Sequence, residues 1–261
     1  MPPEARAALV SKAWVEDKKK RWGEGSVIYQ SRVLGNFPTE TINTVIPLLT
    51  AEEATNRDVK KGGERELSVD VARFGDDLTT IGIREGLIIE PNIEIIEKQD
   101  TSYIASAVER KVKDDGKILR VKIDTIGVGA GVFDQLDKTI SNLVELVPIV
   151  SSERAYDYER YINKRAEMWF NFAEWLKTGC IPNDPDLLAD LTTPKYTFNT
   201  RGRYQVQSKE DIKKDLGRST DRGDMAVQLG YENYGMTVSN LNTNSVTKTS
   251  KDLLHSVGIG G

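Results

Sequence analysis

Four aspartates lie at positions where sheet proteins build metal sites. Asp70 ends the alternating run ELSVD, and we expect it to be the only carboxylate inside the first central strand, where burial is costly without a partner. Asp124 ends the apolar run ILRVKID, just before a glycine-rich bend, and ligands tend to bind outside the carboxyl ends of such strands. Asp221 and Asp224 lie three residues apart in the predicted first turn of a helix, so both project from one face.

Carboxylate oxygens favour hard divalent cations, and the sequence offers few other ligand types. It contains one histidine, His255, and one cysteine, Cys180. This excludes a disulfide framework and a cysteine zinc site, and it nearly excludes a histidine-rich site. Oxygen ligands favour Mg²⁺, Mn²⁺ or Ca²⁺, and among these Mg²⁺ or Mn²⁺ is the cofactor that we expect. Two such ions, about 3.5–4 Å apart, would activate a water and stabilise the leaving oxygen of a phosphodiester.

Each aspartate also has a simpler structural interpretation. Asp70 would pair with a lysine or an arginine, and Asp124 would cap the helix that follows it. Asp221 and Asp224 would complement the helix dipole, since acidic residues are common in a first turn. The metal-site hypothesis therefore depends on the combination of the four acids with the predicted order of strands.

The composition predicts a globular protein. Of the 261 residues, 38% are hydrophobic and 29% are charged, which provides enough apolar material for a core and excludes a chain that is disordered throughout. No stretch of about 18 apolar residues occurs, so we expect no membrane span, and the N-terminus lacks the apolar core of a secretion signal. The net charge of −4 does not exclude a nucleic-acid binder, because local basic runs can contact phosphates.

Periodicity predicts three strands followed by alternating helices and strands. The predicted strands are ELSVDV, TTIGI and LIIEPNIEIIEKQ, the last interrupted at Pro91. A helix follows, capped by Thr101 or Ser102, and then strand ILRVKID, helix GAGVFDQLDKTI, strand LVELVPIV and the long helix ERYINKRAEMWFNFAEWLKTG. Two further elements are a hairpin in PKYTFNTRGRYQVQ and a helix in STDRGDMAVQLGYENYG. This order predicts an α/β fold whose mixed sheet has antiparallel strands followed by parallel ones, with helices on both faces.

Composition also suggests three regions. Residues 1–63 are mixed in character, with a predicted capping box at Thr50 and Glu53 and a linker at KKGG. Residues 64–235 carry the regular alternation of strands and helices. Residues 236–261 are rich in asparagine, threonine and serine, and we expect a flexible tail there.

Several segments, taken in order, resemble a known family. They span roughly residues 22–235 and read YQSRVLGNFP, SVDVARFGDDLTTIGIREG, VKIDTIGVGAGVFDQL, INKRAEMWF and PKYTFNTRGRYQVQSKEDIKKDLGRSTDRGDMAVQL. Together they resemble the C-terminal nuclease domain of the large terminase subunit of tailed bacteriophages, which has a ribonuclease H-like fold. The resemblance implies that the chain cuts concatemeric double-stranded DNA during viral genome packaging, by two-metal-ion phosphodiester hydrolysis.

The resemblance also implies roles and partners. The first acid of the family's site corresponds to Asp70 and the second to Asp124. The family's third motif reads STDRGDM here and supplies Asp221 and Asp224. The implied partners are DNA, the small terminase subunit and the portal or procapsid, in the cytoplasm of the infected bacterial host, and the isolated domain is expected to be monomeric. The neighbouring pair at positions 76–77 is interpreted as exposed turn aspartates, with a site role for Asp76 or Asp77 as the alternative.

One feature of the family is missing. The full-length family protein also carries an N-terminal ATPase, but no GxxxxGK[ST] motif occurs here, and the run GVGAG lacks the lysine and hydroxyl that engage phosphates. We therefore expect the chain to be a fragment, with residues 1–63 as the segment connecting to an absent ATPase domain.

Basic residues flank the predicted acidic site. A phosphodiester substrate needs positive charge beside such a site, although each of these residues could equally belong to a solvated surface. Because phosphate contacts carry little sequence information, cutting with weak sequence preference is expected. The candidate DNA contacts are Lys195, Arg201, Arg203, Lys209, Lys213, Lys214, Arg218 and Arg222.

Two other functions fit parts of the sequence. DVARFGDDLTT and DTIGVGAG are similar to the two phosphate loops of actin-like phosphotransferases, which share the sheet, but those proteins need two such domains and a longer chain. A non-catalytic module that docks DNA or a capsid is compatible with the polar tail and the negative net charge.

Overall fold

A mixed β-sheet forms the centre of the computed structural model, which describes residues 11–36, 43–72 and 77–232. The expectations for Asp76, His255 and the tail 236–261 fall outside these ranges. The strands of the sheet are β1 (Arg65–Asp70), β2 (Thr79–Glu85), β3 (Ile88–Ile89), β4 (Glu94–Ile96), β5 (Ile118–Asp124) and β6 (Glu145–Ile149).

The strand order confirms the predicted fold class. It is β3-β2-β1-β5-β6, with β4 also paired to β2. β1 and β2 are antiparallel, whereas β1, β5 and β6 run parallel. The predicted third strand is two short strands on either side of Pro91, because proline cannot donate to the hydrogen-bond ladder. A separate hairpin, formed by β7 (Tyr196–Phe198) and β8 (Tyr204–Val206), also matches the prediction.

Helices cover both faces of the sheet. The first three precede the sheet and the others alternate with or follow its strands. They are α1 (Lys12–Trp22), α2 (Val27–Arg32), α3 (Leu48–Thr55), α4 (Thr101–Asp115), α5 (Gly129–Ile140), α6 (Lys164–Trp175), α7 (Pro185–Thr192), α8 (Lys209–Leu216) and α9 (Asp221–Leu229). Within the described ranges no helix is both long and apolar enough to cross a membrane.

The alternation of β1 separates two cores. Leu67 and Val69 point to one face, where they pack in a buried cluster with apolar residues of α4 and α5 such as Val108 and Leu136. The other face carries a second buried cluster, built around α6, α7 and α9 and including Trp169. The aromatic residues of α6 are therefore core, as the helical spacing predicts.

Two predicted caps are wrong. Asp100, not Thr101 or Ser102, caps α4, since its carboxylate accepts the backbone N–H of Tyr103. Thr50 lies inside α3 and does not begin it, because the helix starts directly after Pro47 without a side-chain cap. Pro47 has extended backbone and the helix begins at the next residue, so the Thr-x-x-Glu pattern falls inside the helix.

Two helices of the region 64–235 escaped prediction, as did α2 before it. Asp184 and Pro185 begin α7, with the Asp184 carboxylate accepting the N–H of Asp186 at 2.8 Å. Ser208 begins α8, where it accepts the N–H of Asp211 at 3.1 Å. Both starts carry ordinary N-cap residues, so the capping signals were present in the sequence.

The N-terminal helices share the second core. Trp22, Ile28 and Tyr29 are buried in it, and the indole of Trp22 donates to Asp186 on α7 at 3.1 Å. Ala51 and Ala54 of α3 belong to the same cluster. Residues of the proposed connecting segment thus pack on the nuclease-like part, and the division at residues 1–63, 64–235 and 236–261 remains a prediction.

The polar face of β1 holds α9 against the sheet. Glu66 lies inside this strand and is fully buried, so the expectation that Asp70 is its only carboxylate is wrong. The Glu66 carboxylate accepts from Lys122 at 2.8 Å, and the Lys122 ammonium also donates to the carbonyls of Leu229 and Tyr231 at the end of α9. A cation at a helix C-terminus is favourable, so this buried pair fixes the far end of the helix whose first turn carries two site acids.

Ser68 continues this row. Its hydroxyl donates to the side-chain oxygen of Gln228 on α9 at 3.0 Å, and both side chains are buried. Glu66, Ser68 and Asp70 alternate along one face of β1; Ser68 contacts α9 directly, and Glu66 reaches its C-terminal end through Lys122. The strand therefore aligns the helix along its length and presents Asp70 beside the helix start.

Glu66 makes stability depend on pH. Burial alone would raise its pKa, but the neighbouring Lys122 and Arg84 lower the pKa of Glu66 to about 2. A lowered carboxyl pKa stabilises the fold above its ordinary value of 4.5, and this stability is lost as the pH falls towards 2. We expect Glu66→Gln to lower the unfolding free energy at pH 7 by about 3–5 kcal/mol, because Lys122 loses its buried partner.

Urea unfolding at several pH values checks this prediction. The gap between wild type and variant should be constant above about pH 5 and should shrink towards pH 2. Glu145→Gln is the matched control, since Glu145 is a mostly exposed partner of Arg120 and should cost less than about 1 kcal/mol. Equal losses in the two variants, or a gap that does not change with pH, would contradict the buried pair.

Candidate metal centre

Asp70 and Asp124 lie side by side at the carboxyl edge of the sheet. They end adjacent parallel strands, and the register pairs the residues before them, Val69 with Ile123. The Asp124 carboxylate accepts the N–H of Ile126 at 2.9 Å, which holds it at the start of the glycine-rich bend. The parallel pairing thus brings to one edge of the sheet two acids that are 54 positions apart along the chain.

The first turn of α9 completes the acidic cluster. Thr80, the cross-strand partner of Asp70, donates its hydroxyl to the Asp221 carbonyl at 2.8 Å. The backbone N–H of Leu78 donates to the Asp221 carboxylate at 2.9 Å. Asp224, one turn further along α9, is buried, and its carboxylate accepts the Thr220 hydroxyl at 3.1 Å.

Three of the four aspartates line one cavity of about 510 Å³, namely Asp70, Asp124 and Asp221. Asp224 acts on the same site through its charge. Burial, followed by the charges of Asp224, Asp124 and Asp221, raises the pKa of Asp70 well above its usual range, although Lys209 opposes this. Burial likewise raises the pKa of Asp124 and of Asp221. The structure therefore brings together all four acids that the sequence predicted.

Lys209 lies within this acidic cluster. Its ammonium forms an ion pair with the Asp224 carboxylate at 3.0 Å, and the charges of Asp224, Asp70 and Asp124 raise its pKa. Burial alone would raise the pKa of Asp224, but Lys209 and Arg165 hold it below its usual value. Within the part of the chain that is described, no three acidic, histidine or cysteine side chains stand at the spacing of a metal site. The donor chemistry fits a hard cation, while the lysine now neutralises part of the charge.

Sequence reasoning missed further residues that line the cavity. They carry hydroxyl, amide and guanidinium groups and come from the loop after β6, the start of α6 and the segment before α9. The INKRAEMWF and STDRGDM segments pointed to two of these regions, whereas no pattern marks the loop after β6. The missed residues are Ser151, Ser152, Asn163, Arg165 and Ser219.

Asp77 lies at the rim of the same cavity. Its half-exposed carboxylate pairs with the Lys213 ammonium on α8 at 2.7 Å. The ion pair connects the loop after β1 with α8, and the hypothesis that Asp77 is a turn residue stays a prediction.

Carboxylates of α7 hold Arg218 and Arg222. The Arg222 guanidinium donates to Asp184 at 3.0 Å and to Asp186 at 2.7 Å, and Arg218 pairs with the buried Asp190. These contacts fix the segment leading into α9, so both arginines have a structural partner besides any contact with DNA.

The remaining basic candidates are more accessible. Arg201 is exposed at the tip of the hairpin, and Arg203 donates to the Tyr158 carbonyl at 3.3 Å. Lys195 pairs with Asp215 at 3.1 Å, and Lys214 pairs with Asp211 at 2.8 Å. These positions lie on or next to the hairpin and on α8, and their role in DNA binding remains a prediction.

Solved structures share this architecture. The nuclease domain of the large terminase subunit gp2 of bacterial virus Sf6 matches with a TM-score of 0.64 at 20% identity, covering 72% of this chain and 98% of that chain. The large terminase nuclease from thermophilic phage G20c with bound magnesium matches with a TM-score of 0.52 at 17% identity, covering 73% and 97%. No family model matches the sequence, and no curated protein matches it.

This chain has the fold of the terminase nuclease domain. The ribonuclease H-like fold expected from the resemblance is thus confirmed. A K428A mutant of the Sf6 nuclease domain, matching with a TM-score of 0.64 at 19% identity and covering 72% of this chain and 98% of that chain, was solved with manganese and beta-thujaplicinol. Two of these structurally similar nuclease domains were therefore solved with a divalent metal, manganese in one and magnesium in the other.

A close approach of α5 to β5 positions Asp124. A Cβ at position 129 would overlap the carbonyl oxygen of Asp124, whereas a Cβ at position 131 would stand 3.7 Å from a methyl of Thr101, an ordinary contact. We expect Gly129→Ala to lower the unfolding free energy by about 1–3 kcal/mol, because backbone must move. Gly131→Ala in the same helix should leave stability unchanged or raise it by up to about 1 kcal/mol.

Urea unfolding of both variants checks this prediction. Only Gly129→Ala should be less stable than the wild type, since only it displaces the end of β5. Similar behaviour of the two alanine variants would argue against the close approach.

Proposed function

We propose that this chain is a metal-dependent endonuclease that cuts double-stranded DNA during viral genome packaging. The observation that carries the proposal is the meeting of Asp70, Asp124 and Asp221 from β1, β5 and α9 in one cavity, with the charge of Asp224 close by, on the fold of terminase nucleases. Like charges kept together at considerable electrostatic cost support a site that holds cations. Mg²⁺ or Mn²⁺ is the proposed cofactor, with two ions as the working hypothesis.

The four aspartates would hold the cations. When bound, the divalent ions supply charge neutralisation and the activation of a water for phosphodiester hydrolysis. Asp70 and Asp124 are fixed by the parallel strands, and Asp221 is fixed by its bonds to Leu78 and Thr80. The chain thus presents its ligands from rigid elements, which favours a constant geometry across turnovers.

The surroundings suit a polyanionic substrate. Lys209 of α8 lines the cavity and Lys213 of the same helix pairs with Asp77, another lining residue, so we propose that α8, with Lys195 and Arg201 of the hairpin region, contacts phosphates of the substrate. Such contacts do not distinguish bases, so we propose weak sequence preference. By the same proposal the chain works with a small terminase subunit and a portal in the cytoplasm of the infected host.

Replacement of single ligands tests the function. We expect Asp70→Asn, Asp124→Asn and Asp221→Asn each to reduce Mn²⁺-dependent plasmid nicking by more than about 100-fold, since even residues that only orient a ligand commonly contribute 10–100-fold. The melting temperature should stay equal or rise, because each change removes a like charge from the cluster. Asp137→Asn, on an exposed position of α5, is the control and should nick normally.

The outcome separates this proposal from its alternatives. A wild-type rate of plasmid nicking by Asp70→Asn would contradict the assignment of Asp70 as a metal ligand. Salt-dependent DNA binding that survives EDTA, with no cleavage in any metal, would favour a docking module. ATP hydrolysis without DNA cleavage would favour the actin-like enzyme.

Lys209 should compete with metal. Its ammonium is bonded to Asp224, and displacing a charged hydrogen bond of this kind costs about 1.5–3 kcal/mol. We therefore expect Lys209→Met to raise Mn²⁺ affinity by about 10–100-fold, measured by isothermal titration calorimetry. Lys214→Met, which removes an exposed ion pair on the same helix, should leave the affinity unchanged. No gain in the Lys209 variant would show that the lysine yields to metal without cost.

A further inference from the structure

Arg165 carries hydrogen-bond donors that no described residue uses. It lies in the first turn of α6, and its Nη1 donates to the Gln207 carbonyl at 2.8 Å. Its Nε and Nη2 are buried and have no hydrogen-bond partner among residues 11–36, 43–72 and 77–232. Unpaired donors on a charged group are costly to bury, so they indicate a place for a ligand.

The backbone around Arg165 is firmly held. Its N–H donates to the Ser151 carbonyl at 2.8 Å, and Asn163 caps α6 by accepting the N–H of Ala166 at 3.0 Å. The Nη1 bond to Gln207 then ties the guanidinium to the residue before the cap of α8. The held backbone and the Nη1 bond restrict the side chain, while Nε and Nη2 are covered and become accessible to a ligand only when a neighbouring group moves.

The cavity tells which ligand these donors suit. Arg165 lines it together with Asp70, Asp124 and Asp221, and the hydroxyl-bearing Ser151 lies on the same wall as the arginine. The acidic wall repels a free carboxylate, and the nearest carboxylates, Asp224 and Glu210, act on Arg165 only through their charges. The Nε and Nη2 edge of a guanidinium matches two oxygens of one phosphate group.

We propose that Arg165 binds the non-bridging oxygens of the phosphate that is cut, through Nε and Nη2. The inference rests on the proposed function, and it adds a protein donor to the cavity that the aspartates line. Charge that develops on the phosphate oxygens during hydrolysis would then be stabilised by this arginine as well as by bound cations. A lysine cannot reproduce this role, because it offers a point charge without two parallel donors.

DNA binding without metal provides the first test. A fluorescein-labelled duplex is titrated with the protein in EDTA over a series of KCl concentrations, and anisotropy gives the affinity. We expect Arg165→Gln to weaken binding and to reduce the slope of log affinity against log salt by about 0.9, the value for one lost phosphate contact. Arg165→Lys should keep the slope, and Arg110→Gln, on the exposed face of α4, should keep both slope and affinity.

Single-turnover nicking in Mn²⁺ provides the second test. We expect Arg165→Gln to lower the cleavage rate of bound DNA by about 100-fold and Arg165→Lys to lower it by at least about tenfold, because the lysine lacks the two-donor edge. If Arg165→Gln has a lower melting temperature because it lacks the bond to Gln207, the cleavage rate of Arg165→Lys tests the proposal instead. A wild-type rate in the lysine variant would overturn the proposal.

The two proposals fail separately. If the wild-type chain neither cuts nor binds DNA, the proposed function fails and Arg165 has no phosphate to bind. If the wild type cuts DNA while Arg165→Gln retains its salt slope, its rate and its melting temperature, only the role of Arg165 is refuted.

Discussion

The seating of α9 on β1 is the constraint on which the site depends. Buried polar bonds hold the helix at its far end through Lys122 and in its middle through Gln228. Its first turn is held by Thr80 and Leu78, which places Asp221 beside Asp70. If any of these bonds were lost, the acids of α9 would move relative to those of the sheet. A hydrophobic interface alone would allow sliding, whereas directional bonds specify one register.

Charge balance is the second property of the site. Four carboxylates share a buried edge, and Lys209 and Arg165 supply the nearest opposite charge. Burial, with the neighbouring acids, raises the pKa of Asp70 and of Asp124, although Lys209 opposes the shift. A protein gains nothing in stability from this arrangement, since an apolar cluster of the same size would be more favourable. The strain is consistent with a site that is complete only when cations bind.

A different set of carboxylates has a structural role outside the cavity. Asp184, Asp186 and Asp190 of the α7 region anchor Arg218, Arg222 and the indole of Trp22. The N-terminal helices, α7 and the start of α9 are therefore linked through one set of ion pairs. Basic residues that look alike in sequence differ in their contacts and exposure. Arg222 is held by an ion pair to Asp184, whereas Arg201 is exposed at the tip of the hairpin.

The sequence by itself determined the elements and the acids. Alternation in ELSVD separates Leu67 and Val69 from Asp70, and the apolar run before Asp124 predicts a central strand, because these local patterns reflect which faces are buried. Only the tertiary structure decided which distant residues meet. Glu66 with Lys122, Lys209 with Asp224, and Arg165 in the cavity wall depend on strand order and helix docking. No local spacing records those contacts, since they join residues from separate elements whose side chains pack only after the chain has folded.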